Sequence, residues 1–100
     1  MHYLLTYQYT TDYLARRGQF RNAHLRQAWD WQARGALLLG GAVGEPADSA
    51  VLVFDCPNPA EVEKFVQADA YFQNGLVSSY RIQPWTTVVG KDAASPVYPE

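Results

Sequence analysis

Ala36 to Val43 is almost wholly apolar, reading Ala-Leu-Leu-Leu-Gly-Gly-Ala-Val. A run of that length, with no polar residue to offer water, suits a strand covered on both faces. A turn segment follows, Gly44-Glu45-Pro46-Ala47-Asp48, and then Ser49 to Asp55, where Val51 and Val53 alternate with Leu52 and Phe54. The short connection makes the two strands an antiparallel hairpin. Gly40-Gly41 inside the first strand implies a bulge or a close approach by another group.

Two more strands and two helices flank this hairpin. Tyr3 to Tyr9 alternates, with Tyr3, Leu5, Tyr7 and Tyr9 on one face and Leu4, Thr6 and Gln8 on the other; the residue types suit a pleated surface. Thr10-Thr11-Asp12 offers a helix cap. Tyr13 to Arg34 has helical spacing, weakened at Gly18, so that the main piece runs from Phe20 to Arg34. Phe20, His24, Ala28 and Trp31 fall on one stripe, and Asp30 with Arg34 can pair on the solvent side. Gly35 ends the helix. Further on, Asn58 caps, Pro59 takes the first helical position and Glu61 the capping-box position of a helix reaching Ala68. Its inward stripe is Val62, Phe65 and Val66, and Asp69 extends that stripe. Ala70 to Gly75 reads as a compact turn, and Val77 to Val89 as a last strand that Pro84 places at an edge or bends.

The order β-α-β-β-α-β predicts an α+β protein of ferredoxin-like form: a four-stranded antiparallel sheet with two helices on one face. Residues 1–90 make the domain, and residues 91–100, which have lost all periodicity, read as a flexible C-terminal tail. The strands are apolar on both sides, while helices cover only one. A homodimer formed through the sheet faces resolves that mismatch.

Composition narrows the function classes. Eight basic and ten acidic residues leave a formal charge of −2 with no basic stripe, which argues against nucleic acid and anionic membrane as partners. Two histidines and one cysteine, Cys56, offer no metal set. No phosphate loop, nucleophile elbow or Cys-x-x-Cys is present, so neither a metal nor an organic cofactor is expected. The first residues carry no basic-then-apolar leader, and with the lone thiol this suits a reducing, cytoplasmic setting. Aromatics reach 14%, more than one small core can hide, so some should line a pocket or an interface.

His24 is the residue whose placement demands a reason. An imidazole on the inward stripe needs a partner. It is either a structural histidine with a satisfied hydrogen bond or a general acid/base, and spacing alone leaves both open. Asp69 is a candidate partner, because both residues extend the sheet-facing stripe of their helices. A carboxylate at a helix C-terminus meets an unfavourable dipole and needs a donor or a cation; alternatively it caps the following turn. Arg21 is a candidate for orienting an anionic ligand through its fork of donors, although an exposed helical arginine needs no such role. Tyr71 can line a pocket or fill core. Trp31 reads as core.

Taken together, the opening Tyr-rich strand, Arg21-x-x-His24-Leu25, Gly35 with its apolar strand, Ala68-Asp69-Ala70-Tyr71 with Gly75-Leu76-Val77, and Arg81-Ile82-Gln83-Pro84-Trp85 resemble the YciI-like (YCII-related) domain family of the dimeric α+β barrel superfamily. The resemblance covers about residues 1–90. It implies a dimer joined through its sheets and an active site of one His and one Asp, which map onto His24 and Asp69. Ala70 stands where the family's turn usually has proline. The resemblance also implies a proton-transfer reaction, such as dehydrochlorination of a chlorinated hydroxyquinol. The expectation is a small-molecule enzyme of lyase or isomerase type with His24 and Asp69 as an acid/base pair and Arg21 and Tyr71 as substrate-binding residues. The alternative is a non-catalytic ligand-binding or regulatory dimer in which the pair is structural.

Overall fold

The computed structural model describes residues 1–100. Its elements are β1 (His2–Tyr9), α1 (Tyr13–Arg16), a 3₁₀ turn (Arg17–Gln19), α2 (Arg21–Ala33), β2 (Leu37–Gly44), β3 (Ala47–Asp55), α3 (Pro59–Ala68), α4 (Ala70–Gln73) and β4 (Val77–Pro84). The four strands form one antiparallel sheet in the order β2-β3-β1-β4. That is the ferredoxin-like arrangement the sequence predicts.

Register follows the alternation. Leu5 lies opposite Leu52 and Ile82, and Tyr7 opposite Ala50 and Tyr80. Tyr3, Leu5, Tyr7, Tyr9, Ala50, Leu52 and Phe54 are buried on this face, packed against Val62, Phe65 and Val66 of α3. Trp31 meets Phe54 and Phe65 edge-on, with centroids 5.9 and 5.3 Å away, so it is a core residue. The opposite face carries Leu4, Thr6, Val51 and Val53, all half-buried, and the exposed Leu39 and Val43.

Helix α3 begins as its sequence dictates: Pro59 is at the start and the Asn58 side chain accepts from the Glu61 N–H at 3.3 Å. Helix α1 does not: Asp12 makes no capping bond, because its carboxylate accepts from the Thr10 hydroxyl at 2.6 Å. Helix α2 differs in another respect, since none of its thirteen residues is fully buried. Phe20, Ala28 and Trp31 touch the core, and other residues of the helix border a cavity that it shares with β2. Its Arg34 guanidinium lies 4.5 Å over the Trp31 ring, and the Asp30–Arg34 ion pair does not form. Stacking on an indole face holds a guanidinium better than a solvated carboxylate does.

Two boundaries depart from the sequence expectation. The Ala70–Gly75 turn contains the short helix α4, and β4 stops at Pro84, five residues before Val89. Proline has no N–H to continue a ladder. Beyond it the chain turns back: Ser95 N–H bonds to Thr87 O at 3.0 Å and Val97 N–H to Val88 O at 2.9 Å. Thr87 Oγ1 also meets Nδ1 of His2 at 2.6 Å, and His2 is buried.

Candidate functional site

Asp69 sits at the joint between α3 and α4. Its backbone is extended, φ −72° and ψ 126°, which ends α3 and starts α4. Its side chain accepts from the Tyr71 N–H at 3.1 Å and so caps α4. Ala70 is the first residue of that helix, a position where proline is tolerated because the N–H has no intrahelical partner. Alanine there preserves the turn, and Asp69 keeps its place.

The Asp69 carboxylate is completely buried, and donors converge on it from three elements. Oδ2 accepts from the Tyr7 hydroxyl of β1 at 2.8 Å. Oδ1 accepts from Tyr71 N–H and lies 2.7 Å from Nδ1 of His24. The sequence expectation that these two residues could meet across the helices is therefore realised as a hydrogen bond. A carboxylate only accepts, so the neutral imidazole carries its proton on Nδ1 and leaves Nε2 unprotonated. Nε2 has no partner within the chain. The His24 ring lies flat on Tyr71, with centroids 3.9 Å apart and planes 9° apart, and 13% of its side chain is exposed. Two fixed contacts, one at Nδ1 and one on the ring face, set the imidazole's direction.

His24 faces a cavity of about 480 Å³ between α2 and the β2 side of the sheet. That volume is in the range of about 300–1,000 Å³ typical of small-molecule sites. Along α2 it is lined by Arg21, His24, Leu25, Ala28, Trp29 and Gln32, and from β2 by Leu37 to Ala42. Gly40 brings β2 close to the floor: a Cβ there would lie 2.9 Å from Cγ of Leu52. The close approach implied by Gly40-Gly41 is thus with the Leu52 side chain.

The end nearest His24 is built of phenols. Tyr9 and Tyr13 stack with centroids 3.6 Å apart and planes 3° apart, and Tyr71 meets both edge-on at 6.1 and 5.6 Å. Burial, then the neighbouring Tyr13, pushes the Tyr71 phenol up to about 12, although Arg21 and Arg17 oppose the shift. Tyr9 is raised by burial and by Tyr13. Tyr7 is raised by burial first, then by the Asp69 charge and their hydrogen bond. These rings are therefore neutral at ordinary pH.

Of the sequence candidates, His24, Arg21 and Tyr71 line the cavity, and Asp69 stands directly behind His24. Sequence reasoning missed Tyr7, Tyr9, Tyr13 and Trp29, and it considered Arg17 only as a cation for Asp69, an ion pair that does not form. Tyr7 and Tyr9 carried a usable signal, since a phenol on the inward face of a strand needs a partner for its hydroxyl. The place of Arg17 at the cavity depends on the 3₁₀ turn, which helical spacing does not give. No group of three or more His, Cys, Asp or Glu side chains is arranged to hold a metal ion, and no helix is long and apolar enough to cross a membrane.

A comparison with curated proteins finds no match. Among solved structures, the chain is similar to 5-chloro-2-hydroxyhydroquinone dehydrochlorinase (TftG) from Burkholderia phenoliruptrix AC1100, in complex with 2,5-dihydroxybenzoquinone, with a TM-score of 0.75 at 20% identity over 87% of this chain and 95% of that one. It is also similar to protein Atu4242 from Agrobacterium tumefaciens, with a TM-score of 0.57 at 12% identity over 94% and 98% of the two chains. At such identities these likenesses speak for the fold. Residues 1–86 match the profile of the YCII-related domain, and the chain belongs to that family.

Proposed function

We propose that the protein is an enzyme that moves a proton on a small planar molecule held in the α2–β2 cavity. The observation that carries this reading is the 2.7 Å contact between His24 Nδ1 and the fully buried Asp69, with Nε2 left without a partner beside an open cavity. A histidine serving packing alone needs neither.

In the proposed reaction Nε2 takes a proton from a C–H or O–H group of the substrate. The electron pair of the broken bond moves into the conjugated system, giving an enolate or phenolate. In an elimination that pair becomes a new π bond, and the leaving group departs with the pair of its own bond. The imidazolium so formed is stabilised by the adjacent Asp69 charge, which also fixes the tautomer. Tyr71 supports the imidazole from below, and Arg21 lies one helical turn before His24 at the cavity. Return of the proton to a different atom makes the same apparatus an isomerase. The dehydrochlorinase whose fold this chain shares supports a substrate of the hydroxyquinol kind.

The test has two parts: chloride release from 5-chloro-2-hydroxyhydroquinone, and deuterium uptake from D₂O by a panel of planar enolisable carbonyl compounds. Positioned proton transfer contributes roughly 10²- to 10⁴-fold. His24→Gln should lower the rate by at least that lower figure while leaving circular dichroism unchanged. Full activity in that variant would refute the reading. A second reading, a ligand-binding dimer with a structural His–Asp pair, is favoured by one observation: Asp69 also caps α4. Ligand binding with no turnover or exchange across the panel would favour it.

A further inference from the structure

The charges lining the cavity are unbalanced. Arg17 and Arg21, both permanently positive, line it, and no Asp or Glu does. Asp69 is shielded behind His24 and does not line the cavity. The chain as a whole has a net charge of −2, so this concentration of positive charge is local and opposes the overall balance. Neither guanidinium takes part in an ion pair. By contrast, Arg16, one residue away, is occupied twice: it pairs with Asp12 at 3.5 Å and donates to Asn74 O at 2.9 Å.

Position reinforces the contrast. Arg17 lies in the 3₁₀ turn with its guanidinium 5.6 Å from the Tyr13 ring centroid. Arg21 opens α2, four residues later, and His24 follows three residues after it. Arg21 and His24, three apart within α2, occupy neighbouring positions on its surface, and Arg17 reaches the same cavity from the preceding turn. The surrounding wall is aromatic: Tyr9 and Tyr13 lie parallel, Tyr71 stands edge-on to both, and Trp29 adds its indole.

We infer that the cavity selects planar conjugated organic anions, with a carboxylate or ionised hydroxyl gripped by Arg17 and Arg21 and the ring system held within the aromatic-lined cavity beside His24. Guanidinium forks match such oxygen pairs in geometry and charge. The same pair stabilises negative charge that develops on an oxygen when His24 removes a proton. Both guanidiniums already oppose the rise of the Tyr71 phenol, so their field reaches the ring on which His24 lies. The inference rests on the acid/base reading for what happens after binding, but the selection itself requires no proton transfer.

The experiment compares 2,5-dihydroxybenzoate with 2,5-dihydroxybenzamide, which has nearly the same shape and no charge. Binding is followed by calorimetry and by tryptophan fluorescence, to which Trp29 on the cavity wall contributes. The benzoate should bind at least tenfold more tightly, and added salt should weaken it alone. Arg17→Gln with Arg21→Gln should reduce the preference to near unity while the amide binds as before. Arg26→Gln removes a positive charge outside the cavity and should preserve the preference. Equal binding of the two probes, or a preference that survives the double substitution, overturns the inference. Inorganic phosphate displacing the benzoate at equal concentration would also overturn it, since the site would then read charge without the ring. A lost preference with turnover still dependent on His24 removes this inference alone. A retained preference with turnover indifferent to His24→Gln removes the acid/base reading alone.

Discussion

The Tyr7 hydroxyl donates to Oδ2 of Asp69 at 2.8 Å, on the side of the carboxylate away from His24. A strand residue thus fixes a helix-joint residue, which fixes the imidazole. Tyr7→Phe keeps the ring and deletes the donor. Loss of a hydrogen bond to a buried charged group should cost roughly 1.5–3 kcal/mol. Urea denaturation will read that loss. Turnover should fall less than in His24→Gln, because the Asp69–His24 contact persists.

The raised phenols predict sensitivity to alkali. In the unfolded chain a tyrosine titrates near 10, whereas Tyr7 is held higher when folded and Tyr71 is pushed up to about 12. The folded state therefore retains protons that the unfolded state releases. This stabilisation is fully present below about pH 10, the unfolded tyrosine value. It declines as pH rises, by roughly 1.4 kcal/mol per pH unit for each phenol while the two states differ, and for Tyr71 it is lost by about pH 12. Unfolding free energies should stay level from about pH 9 to 10 and then fall along that slope up to about pH 11.5. Tyr7→Phe should remove its share of the slope, and an unchanged slope would contradict the assignment.

Gly40→Ala tests the cavity floor. The added Cβ would meet Leu52, which is buried and cannot swing into solvent. Overpacking of that kind costs about 1–3 kcal/mol. A thermal melt should record the cost, and ligand affinity should fall with it. At Gly41 an added Cβ meets nothing within 4 Å of this chain, so Gly41→Ala should leave the monomer's packing intact.

The uncovered sheet face supports the proposal of a homodimer. Leu39 and Val43 are exposed there and Val51 and Val53 are half-covered. Placing a charge at its centre with Val51→Lys should shift the mass in light scattering from dimer to monomer while circular dichroism holds. A wild-type monomer at high concentration would refute the proposal.

How much of this was legible in the sequence depended on the reach of each interaction. His24 and Asp69 were visible because helical periodicity aims both at the sheet, and Asn58-Pro59 fixes where α3 begins. The role of Tyr7 was hidden among four alternating inward residues, since nothing local says which hydroxyl will meet the carboxylate. Arg34 illustrates the opposite failure. An acid four residues earlier promised an ion pair, yet the indole three residues earlier took the guanidinium. The cavity itself was not legible. It comes from how α2, β2 and the tyrosine cluster are placed around one another, which no short-range pattern encodes.

The helix that carries His24 contains no fully buried residue, although it forms one whole wall of the site. Its apolar residues Leu25, Ala28 and Trp29 border that cavity. An occupant of that volume therefore supplies packing that the chain does not supply for itself, and the grip on α2 depends on what is bound. Such a wall can be recut by exposed substitutions at Leu25, Trp29 or Gln32 without touching the core. The pair behind it, anchored to Tyr7 and the start of α4, would be inherited unchanged while the range of accepted molecules drifts.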